Sequence, residues 1–584
     1  MILQSLTELY EDLAQRGDIA RSGWGPAKIS YALCIDRDGR LQQVIPQMDE
    51  VAKGKKTVLV PKKITLPAAV KRTSGVSSNF LWDNSSYLLG FRGWDKKKDK
   101  FSEPKDGIVP CEKQFGACRE LHHQLLDKVH SPVAEAILRF FDSWDLRDDE
   151  QFLRLSDAME DLKKGGNLMF RVDGQFAQED PEVQKAWQEH YDDFSGVQMQ
   201  CLVSGRLDCI DPVHPPIKGV QGAQSSGAAL VSFNAPAFCS YGKEQDYNAP
   251  VGKYAAFAYT SALNYLLADR ENVQHIGDTT VVCWAKGAEP QYTGFSCAAL
   301  FGKAAPQGLT DADLRSAVKR LADGLPCKEL DLDPKRPFYI LGLAPNAARI
   351  SVRFFLRDSF GGIMQHINAH HERMEIVDQR YPCMPLWALL RETVNPHSTD
   401  KTPSPAMAGA VARAIFAGTP YPASLLEAVT LRIRAEREIT PGRAAIIKAY
   451  YLKNPSPQCP KEVLTVSLNE ASTNIPYTLG RLFSLYEAVQ EKVNPNINTT
   501  IKDKYFNSAS STPANIFPIL DNLSQKHLRK LDGGMRYYYE KQIVDLKDRL
   551  GESYPLRLTL PEQGAFNLGY YHQLKARYTK KEDK

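Results

Sequence analysis

The 584-residue chain has little of what marks most function classes. No apolar run approaches the roughly 20 residues that span a bilayer, which excludes a membrane-embedded helical protein. The opening residues, MILQSLTELYEDLAQRG, carry Glu8, Glu11 and Asp12 with no leading cations. They place Ile2, Leu6, Leu9, Tyr10 and Leu13 on one face and predict a packed first helix, not a signal peptide. The eleven cysteines contain no C-x-x-C pair, so a disulfide framework or zinc ribbon is not expected. They read as mostly buried free thiols of a cytoplasmic, reduced protein.

Catalytic signatures are equally scarce. Lys218–Ala228, KGVQGAQSSGA, is glycine-rich but lacks the G-K-[ST] ending that holds nucleotide phosphates. There is no G-x-S-x-G elbow and no kinase signature set. Cys111, Cys118, His122 and His123 have a spacing that fits no common zinc site. His366 and His370 form an i, i+4 pair beside His371, without the H-E-x-x-H arrangement of a metalloprotease. Asp331 and Asp333 are read as surface carboxylates, and Asp36-Arg37-Asp38-Gly39 as a turn without further calcium ligands. A non-enzymatic protein without cofactor or metal is expected. A metal-dependent nuclease assembled from distant loops is the rival.

Charge of one sign, by contrast, is concentrated. Residues 53–100 hold twelve lysines and arginines against Asp83, Asp95 and Asp99, a local balance of +9 in a chain of net charge +4. Such a window attracts polyanions, or else forms a solvated lysine-rich loop. Inside it, KRTSGVSSNFLWDNSSYLLG (residues 71–90) interleaves cations, hydroxyls, amides and aromatics. Cations suit phosphates, amides suit base edges and rings suit stacking. Lys71, Arg72, Lys96, Lys97 and Lys98 are the candidate phosphate contacts, and Ser77, Ser78, Asn79 and Asn84 the candidate base-edge contacts. Phe80 or Trp82 is a candidate wedge, with a place in the core as the alternative. Asn84 and Ser85 can equally cap a turn.

Two further elements carry candidates. The loop with Lys218, Gln221, Gln224 and Ser225 has glycines that let backbone approach a strand closely, or serve only a tight turn. FYILGL and ARISVRFFLR (338–343 and 348–357) read as two strands joined across Ala344-Pro345-Asn346. Strict alternation puts Ile350, Val352, Phe354 and Leu356 on one face and Arg349, Arg353 and Arg357 on the other, with neighbouring arginines about 13 Å apart. That row suits a phosphate backbone or acidic partners on a covering helix.

The coarse pattern is α+β. A large mixed N-terminal domain with antiparallel hairpins spans 1–375, with a subdomain split near 150–200. A helical connecting region follows at 376–460, and a C-terminal helical bundle at 461–584, after the proline-rich break NPSPQCP (454–460). Ile29–Ile35 and Leu41–Ile45 form a hairpin across the Asp36 turn. Ser131-Pro132 starts a helix whose face is Val133, Ile137, Phe141 and Trp144, and GDTTVVCWA (277–285) is a central strand.

ISYALCIDRDG, VKRTSGVSSNFLWDNSSYLLG, NLMFRVDG, HPPIKGVQGAQSSGAALVSFNAPAFCSYGKEQDYNAP, GDTTVVCWA and FYILGLAPNAARISVRFF occur in that order from residue 29 to 355. Together they resemble the large subunit of the type I-C (Dvulg subtype) CRISPR surveillance complex, Cascade. The resemblance implies a non-catalytic subunit of an RNA-guided, DNA-binding assembly. It implies reading of a protospacer-adjacent motif in duplex DNA, help in opening the duplex, R-loop stabilisation and recruitment of a helicase–nuclease for antiviral defence. Implied partners are guide RNA, target double-stranded DNA, the backbone, guide-RNA-processing and small subunits, and the helicase–nuclease. The family also suggests a small subunit translated from an internal start, near Val463 or Val466 or at Met407, with Lys526, Arg529, Lys530 and Arg536 along nucleic acid. An autonomous nucleic-acid-binding protein is the other rival. The modest net charge argues for a subunit over a free-standing binder.

Overall fold

A computed structural model describes residues 1–53, 56–70, 76–192, 196–303 and 308–578. The first sheet is built on the predicted hairpin. Tyr31–Ile35 pairs antiparallel with Leu41–Pro46 and parallel with Asn167–Val172. The Asp36 carboxylate accepts from the amides of Asp38 (3.0 Å) and Arg40 (2.9 Å) and so closes the turn. Trp82–Asn84 adds to Asn167–Val172. Pro132–Ser143 covers this sheet; Ser131 caps it through the Val133 amide, and Val133, Ile137, Phe141 and Trp144 are all buried as the periodicity requires. A separate three-stranded sheet of Trp24–Ile29, Lys56–Pro67 and Met48–Lys53 lies alongside.

The second sheet has the strand order Gln274–Ile276, Thr279–Ala285, Pro337–Asn346, Arg349–Ser359, all antiparallel. Thr279–Ala285 is buried throughout, as a central strand covered on both faces must be. Val282, Trp284, Tyr339, Leu341 and Leu343 face the helices Ile2–Arg16 and Lys253–Ala268. Val281, Cys283, Ala285, Phe338 and Ile340 face the opposite core, which continues into the C-terminal helices as far as Tyr571.

The hairpin Pro337–Ser359 departs from the expected alternation. Its turn is at Ala347-Ala348, since Pro345 still pairs with Ile350. Leu343 pairs with Val352 but Gly342 pairs with Phe354, so Arg353 is an extra residue in the ladder. The parity of the strand reverses there. Ile350 packs with the first-helix face and Phe354 with the opposite core. The expected single row of three arginines is thereby broken.

Helices dominate after residue 360. Phe360–Met374, Ala423–Glu436, Pro441–Lys453, Ile475–Val493, Pro513–Leu528 and Gly533–Lys547 are helices, the last three within the bundle expected at 461–584. Ile501–Ser511 and Leu560–Ala576 complete the bundle. Gly480 and Gly569 let Ile475–Val493 and Leu560–Ala576 cross in backbone contact: a Cβ on either would collide with the carbonyl of Phe566 or Tyr477. Lys448 is buried, and its ammonium donates to the carbonyls of Arg373 (2.9 Å) and Glu375 (2.7 Å) at the end of Phe360–Met374. Among the described residues, no helix is long and apolar enough to cross a membrane.

Candidate nucleic-acid interface

Lys71 and Arg72 lie outside the described residues. The segment after them is mostly turned inward. Ser78 is buried and donates to the Asn79 carbonyl at 2.8 Å. Asn79 is 5% exposed; its side-chain oxygen accepts from the Val70 amide at 2.9 Å, and its own amide donates to the buried Asp83 at 2.9 Å. Ser77 is half-buried. Asn84 caps the short helix Ser85–Leu88 through the Ser86 amide at 3.0 Å, so the capping alternative describes its contact. These amides fasten the loop to the sheet.

The two candidate wedges are core residues. Phe80 is fully buried and stacks on Trp187, with ring centres 5.4 Å apart. Trp82 is buried and donates to the Pro67 carbonyl at 2.8 Å. Leu81, at φ +65°, donates its amide to Nε2 of the buried His122, whose Nδ1 contacts the Cys118 carbonyl at 2.8 Å. Both ring nitrogens are therefore used within the fold, and burial lowers the His122 pKa to about 4. His370 is likewise buried against the Tyr421 hydroxyl at 2.7 Å, and His366 contacts the Phe416 carbonyl at 2.8 Å. Among the described residues, no group of three or more His, Cys, Asp or Glu gathers as a metal site.

Lys96, Lys97 and Lys98 are exposed on a tight turn. Arg92 holds that turn through Asp99, whose pKa is lowered to about 2 chiefly by the hydrogen bond from this guanidinium. Lys98 lies 3.7 Å from Asp95. On the sheet of Trp24–Ile29 and Lys56–Pro67, Lys28 and Lys63 are both exposed and directly opposed across paired strands, an arrangement that repels in the free protein.

The structure does bring two of the remaining elements together. The loop 218–227 is closed at its base by the pairing of Ile217 with Ala228. The Lys218 amide donates to Asn264 at 2.8 Å and the Gln221 amide to Thr280 at 3.0 Å, so the backbone is anchored while Lys218, Gln221, Gln224 and Ser225 stay exposed. Gly219, Gly222 and Gly227 have φ of +93°, +76° and +108°, which side-chain-bearing residues rarely adopt. Ala229 then bonds to the backbone on either side of Arg349, donating to Ala348 at 3.1 Å while Ile350 donates to it at 2.9 Å. Arg349 is thereby set beside the loop, and its guanidinium lies 4.2 Å from the centre of the Phe238 ring.

The other two arginines diverge. Arg353 pairs with Asp278 at 2.7 Å, on a turn of the sheet rather than a covering helix. Arg357 lies over Tyr339, 5.9 Å from its ring centre, on the face turned to the first helix. The bulge at Arg353 is the physical reason, because it reverses which side every later residue faces.

Residue-type reasoning missed the segment 231–248. It is almost devoid of regular structure, yet it is held at its far end by Asp246, which is buried, receives the His214 amide at 3.3 Å and donates its own amide to Pro212 at 3.3 Å. His214 in turn contacts the Tyr259 hydroxyl at 2.7 Å, on the helix Lys253–Ala268. Burial raises the Asp246 carboxyl to about 6. Phe238 and Tyr241 are displayed from this segment, both exposed.

The assembled surface carries a cation stacked on a ring, two glutamines, a serine and a lysine on an anchored glycine loop. It can contact phosphate through Lys218 and Arg349, and base edges through Gln221, Gln224 and Ser225. No curated protein matches the chain. The model of the family described as CRISPR-associated protein (Cas_Csd1) matches residues 6–578, and the chain therefore belongs to that family, the large subunits of type I-C Cascade.

Proposed function

We propose that this chain reads a short flanking motif in duplex DNA within an RNA-guided complex, assists opening of the adjacent duplex, and offers the helicase–nuclease a docking surface. Guide pairing reads the target sequence in such assemblies, and protein reads only the flanking motif. The observation that carries this reading is the joining of the Lys218–Gly227 loop, through Ala229, to the backbone at Arg349, whose guanidinium lies against Phe238. Anchored backbone with exposed amides, beside a cation, suits a groove edge next to phosphates. Lys96–Lys98 and the opposed Lys28–Lys63 pair supply further positive charge for the backbone of the same duplex or of guide RNA. The chain acts without catalysis of its own. The backbone, guide-RNA-processing and small subunits complete the site.

The test is electrophoretic binding of a target duplex, with and without its flanking motif, by the chain alone and by the chain assembled with guide RNA and the other subunits. Motif-dependent binding by the assembly alone supports the reading. Equal specific binding by the isolated chain makes it an autonomous binder. Metal-dependent cleavage by the isolated chain, abolished by one carboxylate substitution, makes it an enzyme.

A further inference from the structure

Tyr241 is 99% exposed, although burial of an aromatic ring is one of the larger gains available to a folding chain. Its backbone sits at φ +54°, followed by Gly242 at +66° and, three residues later, Gln245 at +47°. Non-glycine residues persist there only when their surroundings fix them. The surroundings do so. The Ser240 amide donates to the Asn248 side-chain oxygen at 2.9 Å, and the Asn248 side-chain nitrogen donates to the carbonyls of Lys243 (3.1 Å) and Gln245 (2.9 Å). Asp246, His214 and Tyr259 then fasten the turn to the helix Lys253–Ala268. The ring is thus held out from the surface on a braced turn, where a mobile loop would let it fold back.

Its position is also defined. Tyr241 follows Phe238, which lies against Arg349, by three residues. Three residues span at most about 11 Å of chain. Successive bases of one strand are about 3.4 Å apart along a duplex, so the backbones of Phe238 and Tyr241 lie within about three base steps of each other. The exposed residues of the turn, 241–245, carry only Lys243 and Glu244 and so no net charge, which leaves the ring, not local electrostatics, as what it offers. Phe80 and Trp82, the aromatic alternatives, are closed inside the core.

We propose that Tyr241 is a base-stacking residue: it takes the face of an unpaired nucleobase at the point where the duplex beside the loop 218–227 and Arg349 is opened. This rests on the duplex-reading function proposed above. Every base offers a π-face, so the contact works on any sequence, unlike the amide contacts of the loop.

The test uses the full assembly with guide RNA and a cognate duplex, comparing wild type, Tyr241→Ala and Tyr241→Phe. Each is titrated with the intact target and with targets carrying one abasic nucleotide at each of the first four positions next to the flanking motif, on either strand. Tyr241→Ala is expected to weaken binding of the intact target about ten-fold, the usual size of one base–aromatic stack. It should have no effect on one particular abasic target, where the stacking face is already missing. Tyr241→Phe should bind as wild type. Unchanged affinity of Tyr241→Ala for the intact target overturns the proposal, as does an equal loss on every abasic target. Both outcomes leave the duplex-reading function standing. Wild type that ignores the flanking motif brings down that function and this inference together.

Discussion

The Arg349 guanidinium lies 4.2 Å from the centre of the Phe238 ring, and this contact joins the hairpin end to the irregular segment that follows the glycine loop. Both groups are partly solvated, so the pair contributes only about 0.5–1 kcal/mol to the fold. Arg349→Ala is therefore expected to leave the unfolding midpoint almost unchanged while weakening DNA binding by the assembly. Its signature is a salt dependence of binding shallower by about one unit of slope, measured by filter binding at several salt concentrations. An unchanged slope removes Arg349 from the phosphate contacts.

The lysines of the N-terminal region are separable from that site. Lys71→Ala with Arg72→Ala, and Lys96→Ala with Lys97→Ala and Lys98→Ala, should each lower the salt slope and weaken binding equally on targets with and without the flanking motif. Gln221→Ala and Gln224→Ala should instead flatten the preference among flanking sequences, by about 1–3 kcal/mol for a lost bidentate contact. A competition series over a library of flanking sequences tells the two behaviours apart.

Asn79 and Asn84 give a contrasting prediction. Asn79→Ala removes the acceptor of the Val70 amide and Asn84→Ala removes a helix cap. Each should cost about 1 kcal/mol of stability, read from denaturant midpoints of the free chain. Altered motif preference in a variant of undiminished stability would assign either side chain to base contact instead.

The glycine crossing is the most sensitive point of the bundle. Gly480→Ala and Gly569→Ala each place a methyl group against a carbonyl of the facing helix. Separating the helices costs about 3 kcal/mol or more, because overpacking here meets backbone and no flexible side chain can yield. Thermal unfolding followed by circular dichroism should show an early loss of helix in both variants.

Acid acts through buried imidazoles. Burial lowers His122, His371 and His572 to about 4, and also holds His370 well below its ordinary value. Their unfolded values are near 6.5. Protons taken up between those values bind the unfolded chain first, so this stability is present above about pH 6.5 and is lost as pH falls towards 4. Each of the three imidazoles at about 4 should account for about 2 kcal/mol by pH 5. Asp246, raised to about 6, acts in the opposite sense over the same range and offsets part of one. Denaturation midpoints at pH 7 and pH 5 should differ markedly, and His122→Gln should reduce the difference. Equal midpoints contradict the account.

Much of the architecture was legible from periodicity. The Asp36 hairpin, the capped helix from Pro132, the central strand at 279–285 and most C-terminal helices follow from alternation, caps and apolar spacing. The bulge was not, because one extra residue in a ladder leaves no mark in the residue types; Ile350, Val352, Phe354 and Leu356 alternate as if the strand were regular. The candidate site divided along a similar line. The loop with Lys218 and Gln221 is exposed, as a glycine-rich polar run suggests. Phe80, Trp82 and Tyr241 belong to one chemical class, yet the first two are enclosed and the third stands in water. Nothing local to those residues decides this: Trp187 closes over Phe80, whereas Asn248 turns the chain so that nothing covers Tyr241.

The shared core has a consequence for expression. Tyr571 donates to the Val377 carbonyl at 2.7 Å, Val377 donates to Val466 at 2.8 Å, and Gly564 packs on the Tyr451 ring. A polypeptide begun at Val463 would lack Tyr451 and Val377 and leave those faces of its last helix bare. One begun at Met407 would keep Tyr451 but lose Phe360–Met374, against which Pro405–Ala417 and Pro441–Lys453 pack, and the carbonyls of Arg373 and Glu375 that hold Lys448. The interior of the long protein thus sets how much of a shorter product must find another molecule before it is soluble, and neither start codon yields a fragment whose core is already closed.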